Sequence, residues 1–118
     1  AAADGSCDFA SPTLLNYTGL TAEQLLGFGW MTVLHPDDAE STASLWGHSV
    51  KTGERFEMEY RLRRRDGAYH WFIARATPLR DEAGRIVKWF GAATDIQEQK
   101  RTEQDLRGAN EDLKQFAW

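Results

Sequence analysis

A single cysteine in 118 residues leaves no partner for an internal disulfide and no multi-cysteine zinc site. Long apolar runs are missing too. None approaches the roughly 20 residues that a membrane-spanning helix needs, and no signal-peptide pattern opens the chain. Basic charge is not in excess: 14 Lys and Arg stand against 18 Asp and Glu, a net charge of −4. A domain of that balance has no electrostatic footprint for a phosphate backbone, and the run Arg63-Arg64-Arg65 reads as a solvated strand end beside a turn. No glycine loop that would cradle phosphate, no nucleophile elbow and no implied acid/base pair is present. The three histidines, at 35, 48 and 70, lack metal-ligand spacing. These absences argue against nucleic acid, membrane insertion, a metal and catalytic residues, and they favour a cytoplasmic setting.

What is abundant is aromatic. Rings make up 12% of the chain, and five are Trp, so they must fill a core, line a pocket or form an interface. The length fits one domain, with about 95 residues in the globular part and modest margin to bury a core. The chain opens on Ala1-Ala2-Ala3 without Met, which reads as a piece of something longer.

Asp4-Gly5 signals a turn, and Ser6 to Ala10 follows as a short strand candidate. Ser11-Pro12 starts a helix over Thr13 to Tyr17, with Ser as N-cap and Pro in the first turn. Thr21 and Gln24 form a capping box for a second helix that Gly27 can end. Phe28 to Leu34 predicts one more helical turn. A longer helix is expected from about Asp37 to Lys51, its acidic start favoured by the helix dipole. Ala39, Ala43, Trp46 and Val50 give it one apolar stripe, and Thr52-Gly53 stops it.

Strands come next. Phe56, Met58, Tyr60 and Leu62 alternate with charged residues, which places one face inside. Asp66-Gly67 signals a hairpin. Tyr69 to Leu79 and Ile86 to Thr94 are the second and third strands, joined by a turn at Asp81 to Gly84. Helices followed by a meander give an α+β domain with an antiparallel sheet. From Ile96 the composition becomes charged and polar. Leu106 and Leu113 lie seven apart, and placing them at d puts Glu103, Asn110 and Ala117 at a. Asn at a with Leu at d is a parallel-dimer signature. The expected division is therefore a domain over 1–95 and a linker helix, a coiled coil, over 96–118. A solvated helix with incidental leucines is the plainer alternative, and Gly108 weakens the helix by about 1 kcal/mol.

His35-Pro36-Asp37-Asp38, Thr52-Gly53, the strand Glu59-Tyr60-Arg61, Arg65-Asp66-Gly67, Tyr69-His70-Trp71, Asp81 to Gly84 and Thr94-Asp95-Ile96 together resemble a PAS domain. Their order and spacing match the subclass common in bacterial histidine kinases and diguanylate cyclases, over about Asp4 to Lys100. The resemblance implies a five-stranded antiparallel sheet cupping short helices around a small cavity. It also implies sensing and relay rather than catalysis, with output through the helix after the last strand. In the family a strand precedes the turn at Asp4-Gly5, and here only three alanines do. A four-stranded remnant, a strand borrowed from a partner chain, or a displaced Ser6–Ala10 segment is expected, and an unpaired edge invites pairing with other chains.

A two-residue turn at Asp66-Gly67 pairs Leu62 with Trp71, Tyr60 with Ile73 and Met58 with Arg75. A four-residue turn at Asp81 to Gly84 pairs Arg75 with Phe90, Ile73 with Ala92 and Trp71 with Thr94. In that register Trp30, Trp46, Phe56, Met58, Tyr60, Ile73 and Phe90 line the cavity, with the Tyr60 hydroxyl as its polar handle. The opposite face carries Phe72, Ala74, Ala76, Trp89, Gly91 and Ala93, and it needs a cover. A one-residue slip would exchange the two faces.

The same register aligns Arg63, His70 and Asp95 on the outer face. Asp95 matches the acidic residue of the family's junction motif. Asp95 and Ile96 with His70 or Arg63 are thus the candidate signal junction; capping of the helix is the simpler role for Asp95. Leu106, Asn110 and Leu113 are the candidate dimer helix.

Some members of the family bind haem through a histidine on the long helix, where His48 lies in this chain. His48 falls about 170° from the apolar stripe at 100° per residue and should face water, so haem is not expected. The Asn-Cys-Arg-Phe motif of flavin-binding relatives is absent, and Cys7 reads as a small buried hydrophobe; flavin is not expected either. A small organic ligand stays open beside a cavity filled by its own rings. The leading expectation is a relay module of a larger bacterial signalling protein, working as a homodimer and coupled to an output domain. A small-molecule sensor and a purely structural dimerisation module are the alternatives.

Overall fold

The computed structural model describes the backbone of residues 1–116 and the side-chain surroundings of residues 1–108. Three short helical elements and a longer helix precede a three-stranded meander, and one more long helix follows it. Helix α1 spans Pro12–Thr18, α2 Ala22–Leu25 and α3 Pro36–Thr52, with a 3-10 turn at Gly29–Val33 between the last two. Strands β1 (Phe56–Arg63), β2 (Tyr69–Arg80) and β3 (Ile86–Asp95) are antiparallel in the order β1-β2-β3, and α4 spans Gln97–Phe116.

Local chemistry sets the helix ends. The Ser11 hydroxyl accepts from Leu14 N–H at 3.2 Å, and Thr21 and Gln24 form a reciprocal capping box. Gly53 closes α3 in the left-handed region, which suits a residue without Cβ. The buried stripe of α3 differs from the apolar one expected: Thr42 and Ser49 are buried, Trp46 is half-buried and Ala43 is exposed. Small hydroxyl residues let the helix approach the sheet closely, and Thr42 donates to the Met58 sulfur at 3.4 Å.

The sheet register corrects the expected one. Leu62 pairs with His70, Tyr60 with Phe72, Met58 with Ala74 and Phe56 with Ala76. The cause is the turn. Arg64 N–H donates to Ala68 O at 2.6 Å, Gly67 N–H donates to Arg64 O at 2.9 Å, and Gly67 has φ +90°. That is a three-residue loop with a glycine bulge, not a two-residue turn. The extra residue slips β2 by one and exchanges its faces. The second turn is built alike, from Gly84 N–H to Asp81 O at 3.0 Å, and a bulge follows between Leu79 and Arg80. Together they shift β3 by two, so Ala74 pairs with Ala93, Ala76 with Gly91 and Pro78 with Trp89.

Phe72, Ala74, Ala76, Trp89, Gly91 and Ala93 are consequently on the face toward the helices, whereas Ile73 and Phe90 lie outside. Leu25, Val33, Leu34, Phe56, Tyr60, Leu62, Phe72 and Ala74 form the buried core. Trp89 is 1% exposed and meets Trp46 edge to face, ring centres 5.1 Å apart.

Ser6–Ala10 is not a strand; only Cys7 forms a bridge, to Gly27. At the free edge of β3, Ala2 bridges to Lys88. The Ala1 ammonium donates to Trp89 O at 2.7 Å, and Trp89 N–H donates to Ala1 O at 2.8 Å. Ala1 and Ala2 thus run beside the start of β3, while Gly91 to Asp95 stay exposed. Gly5 makes this entry fit: its φ is +90°, and a Cβ there would come 2.9 Å from the Trp46 indole nitrogen.

Candidate functional site

Two sites stand at opposite ends of the sheet. The first is an apolar groove of about 200 Å³ between α3, the N-terminal segment and the inner face. Trp30, Trp46, Phe56 and Tyr60 line it, with Ala74, Trp89 and Gly91. Ile73 and Phe90 do not, because the one-residue slip turns them outward; Phe90 is 57% exposed. Met58 faces inward but packs against the core beside Thr42 rather than on the groove. Trp46 donates its indole N–H to Gly5 O at 3.0 Å, which ties α3 to the chain entry. Burial pushes the Tyr60 phenol up to about 12. Among the described residues, the buried Trp89 indole N–H finds no hydrogen-bond partner, a rare condition for a buried donor.

Among the described residues, no histidine lines the groove. His48 is exposed on α3, with Nε2 3.2 Å from Glu54 Oε2. Cys7 lies on the irregular N-terminal segment, its thiol 3.2 Å from Phe9 O. No cluster of three metal-ligating side chains occurs among the described residues, and none of the described helices is long and apolar enough to cross a membrane.

The second site is the passage from β3 into α4. Asp95 uses both carboxylate oxygens. Oδ2 lies 2.9 Å from His70 Nδ1, and Oδ1 accepts from Gln97 N–H at 2.9 Å. The cap and the cross-strand contact are therefore one side chain's work. Ile96 N–H donates to Trp71 O at 2.8 Å, and the Gln97 side chain accepts from Trp71 N–H at 2.9 Å. His70 Nε2 faces Arg64 at 3.4 Å. Arg64 in turn grips Asp66 and, as the main cause, holds its carboxyl down at about 2. Tyr17 closes the site from α1: its hydroxyl donates to Leu62 O at 2.8 Å, and burial pushes it up to about 12.

Arg63 takes no part. It pairs with Tyr69 on the exposed side of the strand end, and the three-residue loop brings Arg64 to His70 instead. His70 and Asp95 lie toward the helices, not on the outer face. Sequence reasoning missed Gln97, although a polar amide two residues after a capping Asp was the available signal. It also missed an ion-pair chain on the outer face. There Lys100 Nζ lies 2.6 Å from Glu59 and 5.1 Å from the Trp71 ring centre.

Of the expected dimer helix, Leu106 is 60% exposed, and every described residue from Arg101 to Gly108 is exposed. The Asn110 and Leu113 side chains, and Ala117 altogether, lie outside the described residues.

The family described as the PAS fold matches residues 8–93. An uncharacterized protein, y4lL, of Sinorhizobium fredii is 36% identical over 90 residues, covering 76% of this chain. The peroxide stress-activated histidine kinase mak1 of Schizosaccharomyces pombe is 35% identical over 103 residues, covering 87%. The chain spans only 11% and 6% of those two proteins. Among solved structures, the N-terminal domain of a diguanylate cyclase with a PAS/PAC sensor from Marinobacter aquaeolei superposes with a TM-score of 0.72 at 24% identity. That match covers 79% of this chain and 86% of that one. Fold, match and relatives agree: the chain belongs to the PAS family.

Proposed function

We propose that this chain is a non-catalytic sensory and relay module of a larger bacterial signalling protein, a histidine kinase or a diguanylate cyclase. Residues 1–95 form the sensing unit. Residues 96–118 are the linker, and its helix α4 dimerises as a coiled coil and carries conformational change to an output domain in the cytoplasm.

One observation carries the reading. Asp95 holds the sheet through His70 with one oxygen and the first turn of α4 through Gln97 N–H with the other. A displacement of β2 against β3 is thereby felt at the helix start. A capping side chain contributes about 0.5–2 kcal/mol, enough to shift a fraying equilibrium severalfold. The kinship with a histidine kinase supports the class of parent protein. The exposed surface of α4 from Arg101 to Gly108 supports a partner helix.

The test is amide exchange along Ile96 to Lys100. Asp95→Ala should speed it about threefold or more, and His70→Ala should reproduce part of that gain. Equal rates in Asp95→Ala and the parent chain would refute the relay. For assembly, the solution mass across dilution should fit a dimer that Leu106→Glu dissociates. A dimer with no response at α4 would leave a purely structural dimerisation module.

The groove favours a second reading, a small-molecule sensor. Its apolar rings and the unpartnered Trp89 N–H suit an uncharged ligand of few atoms carrying a hydrogen-bond acceptor.

A further inference from the structure

The outer face carries a second connection to α4, and it leads to α3. Asp38, in the first turn of α3, holds Arg61 three times: backbone N–H to Oδ2 at 2.8 Å, Nε to Oδ2 at 3.0 Å and Nη2 to Oδ1 at 2.9 Å. The Asp38 side chain is only 14% exposed, and Arg61, chiefly through its side-chain hydrogen bonds, holds that carboxyl below the usual range. Arg61 pairs with Trp71 across β1 and β2, and its guanidinium carbon sits 4.9 Å from the Trp71 ring centre. Lys100 of α4 reaches the same ring at 5.1 Å while bonding Glu59 at 2.6 Å. Two cations from different elements therefore share one indole, Arg61 held chiefly by Asp38 and Lys100 chiefly by Glu59, with Asp37 and Glu103 each 4.0 Å away as second, longer partners.

The arrangement has a sign. Glu59 and Arg61 are two residues apart on β1 and so project from the same face. An Arg61 released by Asp38 competes with Lys100 for Glu59 and for the ring, and α4 loosens. Asp38, Thr42 and Trp46 recur every four residues along one face of α3, so the helix that bears Asp38 at one end bears a groove wall at Trp46. We propose that the Trp71 ring is a latch that couples the seating of α3 over the groove to the docking of α4, by a route separate from Asp95. It deepens the relay reading and rests on it.

The experiment is amide exchange along Ile96 to Glu103 in the full chain, read for Asp38→Asn, Arg61→Gln and the double variant. Urea unfolding of each checks that it is folded. Asp38→Asn should speed exchange about three- to fivefold, as fits an ion pair and a cation–π contact on a partly exposed surface. In the Arg61→Gln background the same substitution should add nothing. Trp71→Leu should likewise remove the response to Asp38→Asn. An equal acceleration with and without Arg61 would overturn the latch, as would no acceleration in either background. If Asp95→Ala still speeds α4 while Asp38→Asn does not, the latch fails and the relay stands. If neither substitution acts, both fail.

Discussion

The two ends of the sheet are built from opposite materials. At the groove end Ala1 and Ala2 meet β3, and the packing there is of rings: Trp46 on Phe56 and Trp46 on Trp89, each pair 5.1 Å apart. At the junction end the contacts are polar and directional. Asp95, His70, Gln97 and Trp71 make a chain of bonds of 2.8–2.9 Å between sheet and helix. Edge-to-face ring pairs hold their geometry by only about 0.5–1.5 kcal/mol and can shift against one another, whereas hydrogen bonds fix orientation. An end that yields to its contents joined to an end that holds an angle is what a relay requires.

The largest effect should come from breaking the groove end. Trp89→Ala removes a fully buried ring and should cost about 3–5 kcal/mol, read as a lower urea midpoint. Next is Asp38, which fastens α3 to the sheet. Asp38→Ala should cost about 1.5–3 kcal/mol, the range for charge-assisted bonds.

Its pH dependence has a definite sign. The folded carboxyl lies below the ordinary range because Arg61 donates to it, so the unfolded chain takes up the proton first. The stabilisation is full above the unfolded value of about 3.9 and is lost as pH falls through the folded one. Asp38→Asn should therefore flatten the acid limb of stability against pH.

Smaller effects belong to the junction. Asp95→Ala should cost about 0.5–2 kcal/mol and fray the first turn of α4, seen in amide exchange. Lys100→Met should cost under about 1 kcal/mol and loosen the same turn without changing the groove.

Much of this contrast was legible in the chain. Caps announced themselves because their chemistry is local: Ser11, Thr21 with Gln24, and Gly53 each act within a few residues. Strand existence followed from the alternation of Phe56, Met58, Tyr60 and Leu62. The faces of β2 and β3 did not, because Asp66-Gly67 serves a two-residue turn and a three-residue bulged loop equally well. The choice between them rests on backbone bonds from Arg64 to Gly67 and Ala68. With that one residue Ile73 and Phe90 left the groove, Trp89 entered it, and Arg64 replaced Arg63 beside His70. Proximity of His70 to Asp95 was legible through the wrong register, since the shift of β3 by two kept Asp95 on the same face as His70, while the slip of β2 by one carried both to the side of the helices. The coupling of Asp38 to Lys100 joins residues 62 positions apart and has no local signal.

Trp46→Leu, with amide exchange read along Ile96 to Glu103, tests most directly whether the groove speaks to the helix. The variant thins the groove wall and touches nothing at the junction. Exchange in α4 that shifts about threefold or more while the helix stays formed is the predicted result, within the 0.5–2 kcal/mol expected of coupling through packed elements. Unchanged exchange in α4, in a variant whose lower urea midpoint shows that the groove end was disturbed, would contradict the account.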